Sequence, residues 1–189
     1  YAADALCAQD AVSVQVDVLE RLPVPFGLVR YGVAPDHGSV RSVRDTLDRV
    51  LDLPGVRFMG NVHVGVDVSL DELQAAYDAV ILAYGASSDR HLGIPGEELP
   101  GSVAATDLVA WYCGHPDAAV EQFDELVRSA TSAVVIGLGN VAVDVVRVLS
   151  KTPLELEGTD IPQHVLDSLQ ASGIADVHLV GRRGPAQAT

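Results

Sequence analysis

Residues 137–142, Gly-Leu-Gly-Asn-Val-Ala, have the types and the spacing of a turn that holds a dinucleotide. They fit the pattern G-x-G-x-x-A between an apolar segment typical of a buried strand and a segment with helical period. In that pattern Gly137 permits the tight turn, Gly139 lets the backbone approach a pyrophosphate, and a small third residue lets helix and strand pack closely. The N terminus of the helix offers N–H groups and the positive end of its dipole to phosphates. The motif predicts nucleotide binding, with a purely structural tight turn as the alternative.

Two arginines, Arg182 and Arg183, end the next apolar segment that is typical of a parallel strand. NAD-binding folds usually place there an acidic residue that bonds the adenosine ribose, whereas guanidinium groups pair with a phosphate dianion through two hydrogen bonds. The pair therefore favours NADP over NAD, and an exposed basic turn is the alternative. Because the gap from Gly139 to Arg182 is about twice the usual spacing, we expect an additional helical segment between them.

Glu20 ends an earlier segment, residues 12–20, in which valines occupy every second position as in a strand. A second dinucleotide-binding fold would place its ribose-binding carboxylate at such a strand end. A plain exposed glutamate is the alternative. If the first interpretation holds, the glycine motif that belongs to Glu20 lies upstream of Tyr1, and the chain is expected to be a fragment.

Strand-like and helical segments alternate along the whole sequence. Strands are predicted from apolar runs or period-two alternation at 12–20, 56–60, 61–68, 79–86, 133–137 and 175–183. Helices are predicted within 1–10, from Ser39 to about Leu51, from Ser69 to Tyr77, and at 106–113, 139–150 and 159–173. This alternation predicts α/β architecture with two Rossmann-like dinucleotide-binding domains, both incomplete in this chain.

Three connecting features support that organisation. Residues 21–38 show no period but carry prolines, glycines and large apolar side chains, which predicts an ordered loop laid against a ligand or a neighbouring domain. Ser69 and Glu72 form an S-x-x-E capping box at the start of a short helix. The turn cluster at 94–101 is the predicted domain boundary.

Composition excludes several classes of function. The net charge of −14 disfavours nucleic acid and anionic membrane as partners, because both would be repelled. The longest apolar runs are too short to cross a bilayer, so no membrane insertion is expected. Cys7 and Cys113 lie far apart, which indicates neither a disulfide framework nor a dithiol redox site, and no metal site is predicted. We expect a reducing, cytoplasmic location.

Several segments together resemble one family, the adrenodoxin-reductase-type NADPH–ferredoxin reductases, which include bacterial ferredoxin/NADP reductases of the same type. The resemblance covers essentially the whole chain in order, and its most specific block is VPFGLVRYGVAPDH. The segments that carry it are residues 24–37, 60–62, 64–68, 94–101, 137–149 and 180–185.

The resemblance implies a flavoprotein oxidoreductase that passes hydride from NADPH to FAD and then single electrons to a ferredoxin-type iron–sulfur protein. It implies a partial FAD-binding domain over residues 1–101 and a partial NADP-binding domain over residues 102–189. Because the family's FAD glycine turn and second half would lie outside these residues, it also implies that the fragment alone is inactive.

The same resemblance implies roles for individual residues. Glu20 would bind the FAD ribose, and Leu28 and Val64 would line the flavin site. The residues implied to meet the NADP pyrophosphate are Leu138, Gly139, Asn140 and Val141, and those implied to bind its 2′-phosphate are Arg182 and Arg183. His37 would lie near the flavin and the nicotinamide, in a proton-shuttle or orienting role.

Two other functions stay open at this point. One is an electron-transfer subunit related to the small subunit of glutamate synthase, and a cysteine-rich extension upstream would favour it. The other is a module that senses NADP without hydride transfer. The long aromatic loop at 21–38 disfavours the sensor, because a protein that binds one nucleotide has no use for the first fold.

Overall fold

The computed structural model describes residues 1–86, 88–182 and 184. The chain divides into two compact units, one made of Tyr1–Val29 with Ser39–Gly85 and the other of Arg30–Gly38 with Ala86–Thr189. Each unit contains one pair of parallel strands together with helices. The predicted α/β class with partial Rossmann-like units is confirmed.

Residues 1–85 contain two strands and five helices among the described residues. In chain order these are α1 (Ala2–Cys7), β1 (Val16–Leu19), α2 (Gly27–Tyr31), α3 (Gly38–Arg41), α4 (Val43–Leu51), β2 (Val56–Met59) and α5 (Leu70–Ala76). Strands β1 and β2 are parallel, and Val16 lies opposite Val56. The strands at 16–19 and 56–59 and helices α1, α4 and α5 were all predicted, and α3 lies in the predicted helix except for its first residue, Gly38. Helix α2 lies in the stretch predicted as a loop.

The second unit adds two strands and five helices in its described part. In chain order these are α6 (Ala105–Tyr112), α7 (Val120–Ser129), β3 (Ser132–Ile136), α8 (Asn140–Ser150), α9 (Pro153–Leu156), α10 (Gln163–Gln170) and β4 (Asp176–Val180). Strands β3 and β4 are parallel, from Ser132 opposite Asp176 to Ile136 opposite Val180. The predicted helices α6, α8 and α10 and both strands are confirmed, and the helical excursion expected before Arg182 is α9 with α10.

The main hydrophobic core lies in the second unit. Trp111, Val148, Leu156 and Val165 have almost no exposed surface, and helices α6 to α10 supply most of this core. Helix α8 is rich in valine, which has poor helix propensity. It buries Ala142, Val145 and Val148, spaced three residues apart on one face, so tertiary packing stabilises this helix more than propensity does.

The strand predicted at 61–68 is wrong, because that segment forms a turn. Gly65 adopts a φ of +94°, and the N–H groups of Val66 and Asp67 both donate to the His63 carbonyl, at 3.0 and 2.8 Å. The Asp67 carboxylate also accepts the His63 N–H at 2.7 Å. These local hydrogen bonds satisfy backbone groups that would otherwise pair with a neighbouring strand. The segment keeps a single isolated β-bridge, between Val64 and Val68.

The strand predicted at 79–86, buried on both faces, is also wrong. The segment has no regular secondary structure, and the side chains of Ile81, Leu82 and Tyr84 are 59%, 59% and 86% exposed. No strand in the described residues pairs with it. An apolar run forms a β-strand only when a neighbouring strand takes up its backbone hydrogen bonds. The apolar composition of 79–86 was therefore not enough to predict a strand.

The capping box at the start of α5 is confirmed in both directions. The Glu72 N–H donates to Ser69 Oγ at 3.2 Å, and the Ser69 N–H donates to Glu72 Oε2 at 2.8 Å.

We expect Ser69→Ala to lower the free energy of unfolding by about 1 kcal/mol, because an N–H of the first helical turn loses its acceptor. Urea denaturation measures this loss, and Ser69→Thr, which keeps the hydroxyl, is the control. Equal stabilities for Ser69→Ala and the unmodified protein would contradict it.

None of the helices in the described part of the chain combines the length and the apolar character needed to cross a membrane.

Candidate functional site

The glycine turn lies directly between β3 and α8, where the sequence predicted it. Gly137 has a φ of +132°, which side-chain-bearing residues rarely adopt. Its N–H donates to the Val180 carbonyl at 2.8 Å, so the turn is joined to the end of β4. A Cβ atom at Gly137 would lie 3.7 Å from that of Ala142, which is 8% exposed. The small residue in the third position of the motif therefore packs against the turn, as predicted.

The start of α8 is accessible. Gly139 is the N-cap, Asn140 is exposed, and the Val141 side chain is 47% exposed. A side chain added at Gly139 would meet no atom within 4 Å. Because the first turn of a helix leaves N–H groups without intrahelical partners, this end of α8 can accept an anionic group.

The parallel pairing of β3 with β4 sets the position of Arg182. Since Ile136 lies opposite Val180, the turn that follows β3 and the arginine that follows β4 lie at the same edge of the sheet. Arg182 is exposed there. Arg183 lies outside the described residues. The structure thus brings together the predicted pyrophosphate-binding turn and one of the two predicted phosphate-binding arginines.

Glu20 follows β1 in the first unit and continues the pairing of that strand. Its N–H donates to the Met59 carbonyl at 3.0 Å, and its carbonyl accepts the Val62 N–H at 3.0 Å. The half-buried side chain accepts the Leu22 N–H through Oε1 at 3.1 Å. Glu20 therefore has the expected place at a carboxyl strand end, with its second carboxylate oxygen able to accept from a ligand.

Leu28 and Val64 lie on two different local structures of the first unit. Leu28 is in α2 and is 78% exposed, whereas Val64 is in the turn at 61–68 and is 39% exposed. Both predicted flavin-site residues thus present apolar surface that a ligand could cover. Their contact with a flavin stays a prediction.

His37, the predicted catalytic residue, lies beside an ionic network on α8. Its Nε2 atom is 3.2 Å from Asp144 Oδ1, and its backbone N–H donates to the Ala34 carbonyl at 3.0 Å. The imidazole is 41% exposed and the Asp144 side chain 19% exposed. An imidazole that carries its proton on Nε2 donates to Asp144, which leaves Nδ1 as a proton acceptor.

Arg147 joins the two carboxylates of this network. Its Nη1 donates to Asp144 Oδ1, and its Nε and Nη2 donate to the two oxygens of Asp36, all at 2.8 Å. Lys151 Nζ donates to Asp36 Oδ2 at 2.7 Å. The Arg147 hydrogen bonds hold the pKa of Asp36 far below its usual range, although burial opposes this. The hydrogen bonds to Asp36 and Asp144 in turn raise the pKa of Arg147.

The segment that carries Asp36 and His37 is held within the second unit by several further contacts. Cys113 Sγ lies 3.3 Å from the Val33 carbonyl, and the Tyr31 ring meets that of His115 edge-on with centroids 4.9 Å apart. Ala34 has no exposed surface and belongs to the core. His37 is therefore placed by packing and by ion pairs, which fits a positioned functional group better than a merely solvated one.

Four residues of this network were missed by the sequence analysis: Asp36, Asp144, Arg147 and Lys151. A signal for three of them exists, because Asp144 and Arg147 are three residues apart on one face of α8 and Lys151, the residue after the helix, follows Arg147 by four. Nothing in the sequence indicates that Asp36 pairs with that face.

A glycine turn between a parallel strand and a helix, with an arginine after the adjacent strand, defines a Rossmann-like dinucleotide-binding unit. Known proteins agree with this class. The chain is 52% identical over 180 residues to NADPH-ferredoxin reductase FprA of Mycobacterium leprae, and this alignment covers 95% of the chain and 39% of that protein. It is 50% identical over 173 residues to the mitochondrial NADPH:adrenodoxin oxidoreductase of Arabidopsis thaliana, and this alignment covers 92% of the chain and 35% of that protein.

Solved structures give the same result. The chain matches the atomic-resolution structure of the Mycobacterium tuberculosis oxidoreductase FprA with a TM-score of 0.92 at 50% identity, over 99% of the chain and 42% of FprA. It matches FprA in complex with NADPH with the same TM-score and identity, over 99% of the chain and 41% of that structure. A scan against protein-family models finds no match.

The chain is therefore homologous to part of the NADPH–ferredoxin and NADPH:adrenodoxin reductases, as its sequence motifs predicted. It spans about two fifths of the length of the curated relatives it matches.

Proposed function

We propose that the complete protein is a flavoprotein oxidoreductase that carries electrons from NADPH, through FAD, to a ferredoxin-type iron–sulfur protein. The observation that carries this proposal is the sheet edge of the second unit, where the glycine turn and Arg182 follow adjacent parallel strands. The relatives that are named reductases, and the FprA structure in complex with NADPH, support it. They favour a reductase over both a glutamate-synthase-type subunit and an NADP-sensing module.

The residues of the second unit fit NADPH. Gly139 leaves the backbone open at the start of α8, so the N–H groups there can bond a pyrophosphate, lined by Leu138, Asn140 and Val141. The exposed guanidinium of Arg182 can pair with the 2′-phosphate, and Arg183 has the same proposed role. A phosphate dianion is what distinguishes NADPH from NADH, so these arginines would set the preference between them.

The residues of the first unit fit the ribose and ring portions of FAD. Glu20 Oε1 is engaged by the Leu22 N–H, which leaves Oε2 to accept from a ribose hydroxyl. Leu28 and Val64 offer exposed apolar side chains to a planar ring. When bound, FAD would supply the conversion of a two-electron hydride transfer into single-electron steps. The proposed FAD-binding domain spans residues 1–101 and the proposed NADP-binding domain residues 102–189, whereas the compact units divide the chain after Gly85 and include Arg30–Gly38 in the second unit.

His37 would hold or move a proton near the nicotinamide and the flavin. Asp144 supports this role because it accepts from Nε2 and so directs Nδ1 to proton exchange. Asp144 is itself held by Arg147. We place the protein in the cytoplasm, a reducing compartment that suits thiols at Cys7 and Cys113.

Anaerobic titration of the complete protein tests the proposal, with NADPH and NADH followed separately through the visible flavin spectrum. We expect bleaching by NADPH at much lower concentration than by NADH. A folded, purified protein without a flavin band contradicts the reductase and leaves the sensor. Reduction of an added ferredoxin then distinguishes a ferredoxin reductase from a subunit that needs a protein partner of another kind.

Arg182→Leu is expected to raise the Kd for NADPH about tenfold or more, because a charge-assisted pair with the 2′-phosphate is lost. The Kd for NADH should stay within about twofold, since NADH has no such phosphate. Arg49→Gln, which removes an exposed arginine of α4, controls for the change in net charge. Equal losses for both nucleotides would show that Arg182 does not read the 2′-phosphate.

A further inference from the structure

Gly181, between the last residue of β4 and Arg182, has a property that the other glycines of this region do not share. A Cβ atom placed on Gly181 would collide with the Leu138 side chain, at 2.5 Å from its Cγ and 2.9 Å from one Cδ. A side chain at Gly139 or at Gly158 would meet nothing within 4 Å. The φ angle of Gly181 is not in the left-handed region, so its need for glycine is steric and not conformational.

The collision identifies where Leu138 lies. Leu138 is the middle residue of the glycine turn, and its half-buried side chain covers the space in which a side chain of residue 181 would lie. The turn is joined to β4 a second time through the hydrogen bond from the Gly137 N–H to the Val180 carbonyl. Residues 137 and 138 are thus held against residues 180 and 181 by one backbone contact and one side-chain contact.

Each of the two contacts lies one or two residues from a proposed phosphate-binding group. On one side Leu138 is followed by the N-cap Gly139, and on the other side Gly181 is followed by Arg182. A shift of the Leu138 backbone away from residue 181 therefore changes the spacing between the start of α8 and Arg182. NADP joins its pyrophosphate and its 2′-phosphate through one nucleoside, so the two groups must be bound at a fixed separation.

We propose that Gly181 is a positioning residue for NADP: by lacking a side chain it lets Leu138 lie across the end of β4, which fixes the pyrophosphate turn at the correct distance from Arg182. This rests on the proposed function, because it assumes that the nucleotide spans these two groups. The contact acts through preorganisation, since a site already at the correct spacing loses less freedom when the ligand binds.

The test measures equilibrium binding of two ligands to the complete protein by calorimetry. NADP⁺ reaches both the turn and Arg182, whereas 2′-AMP reaches Arg182 only. For Gly181→Ala we expect the Kd of NADP⁺ to rise about tenfold, while that of 2′-AMP stays within about twofold. Gly158→Ala, a glycine-to-alanine change on open surface of the same unit, should leave both constants unchanged.

A second variant separates positioning from damage to the fold. Leu138→Ala alone removes the same contact from the other side, so the Kd of NADP⁺ should rise about as much as in Gly181→Ala. The double variant should be no weaker than either single variant, a non-additive result for two residues in contact. Melting temperatures of all variants report folding independently of the ligand.

The possible results have distinct meanings. An unmodified protein that binds no NADP⁺ overturns the proposed function, and the positioning role falls with it. If the unmodified protein binds NADP⁺ and Gly181→Ala binds it equally well, only the positioning role is overturned. It is also overturned if Leu138→Ala binds NADP⁺ as tightly as the unmodified protein, if the two losses add in the double variant, or if NADP⁺ and 2′-AMP weaken together.

Discussion

Asp124→Ala is expected to lower the free energy of unfolding by about 3 kcal/mol, because it leaves buried donors without an acceptor. Asp124 Oδ1 accepts from Trp111 Nε1 at 2.9 Å and from Ser168 Oγ at 3.0 Å, and both of these side chains are fully buried. His164 Nδ1 lies 3.1 Å from the same oxygen. One half-buried carboxylate thus joins helices α6, α7 and α10 at the edge of the core.

Urea denaturation of the complete protein, followed by circular dichroism, measures the effect. Asp124→Asn keeps an acceptor oxygen in the same place and should lose about half as much. Glu125→Ala, the neighbouring position on α7, is the matched surface control. Losses of similar size for Asp124→Ala and Glu125→Ala would show that the buried donors have found other partners.

The charge on Asp124 makes part of this stabilisation depend on pH. Burial opposes ionisation, but the hydrogen bonds from His164, Trp111 and Ser168 outweigh it and hold the pKa of Asp124 below its usual value. A carboxyl whose pKa is lower in the folded protein contributes stability that is fully present above about pH 4 and is lost as the pH falls further. Asp124→Asn removes that dependence.

Arg147→Met is expected to cost about 3 kcal/mol of unfolding free energy, because it breaks a largely buried ion pair by removing one partner. Asp36 is 8% exposed, and after the change only Lys151 would balance its charge. The double variant Arg147→Met with Asp36→Asn should be more stable than Arg147→Met alone, since the uncompensated carboxylate is gone. Arg128→Met, which removes an exposed arginine 4.0 Å from Asp124, is the control and should cost less than about 0.5 kcal/mol.

Acid unfolding supplies a second measurement of the same network. The Arg147 hydrogen bonds lower the pKa of Asp36 in the folded state, so the unmodified protein should lose stability as the pH falls below about 4. In Arg147→Met the folded-state pKa of Asp36 lies closer to its unfolded value, and the loss between pH 4 and pH 2 should be shallower. A slope identical to that of the unmodified protein would exclude Arg147 as the cause of the shift.

The sequence is most informative where a structure depends on neighbours along the chain. The strand, glycine turn and helix at 132–150 were predicted because each part has its own local period or turn chemistry. The capping box at Ser69 was predicted for the same reason. Helix α7, which was not predicted, has such a signal too, since Phe123 and Val127 are spaced by four residues and both are buried.

Prediction failed where the outcome depends on a distant partner. The run at 79–86 has strand composition but no strand beside it in the described residues, and the valines at 61–68 alternate around a glycine that turns the backbone. His37 and Asp144 are 107 positions apart, and Asp36 and Arg147 are 111 apart. No local pattern encodes such pairs, so the network behind the predicted catalytic residue becomes visible only in three dimensions.

The placement of residues 30–38 has a consequence for how the protein is made and divided. This segment belongs to the second unit, yet it is translated before most of the first unit, because Ser39–Gly85 follow it. Ala34 and Asp36 can therefore make their contacts only after α8 has been synthesised. Each contact closes a loop of the intervening chain, and the entropy lost on closing that loop opposes the contact. A gene cut at codon 86 would yield a second half with a gap in its core and without Asp36, the carboxylate that pairs with Arg147 and Lys151. Dissecting this protein into modules requires a peptide or a permuted gene that returns residues 30–38 to the half they complete.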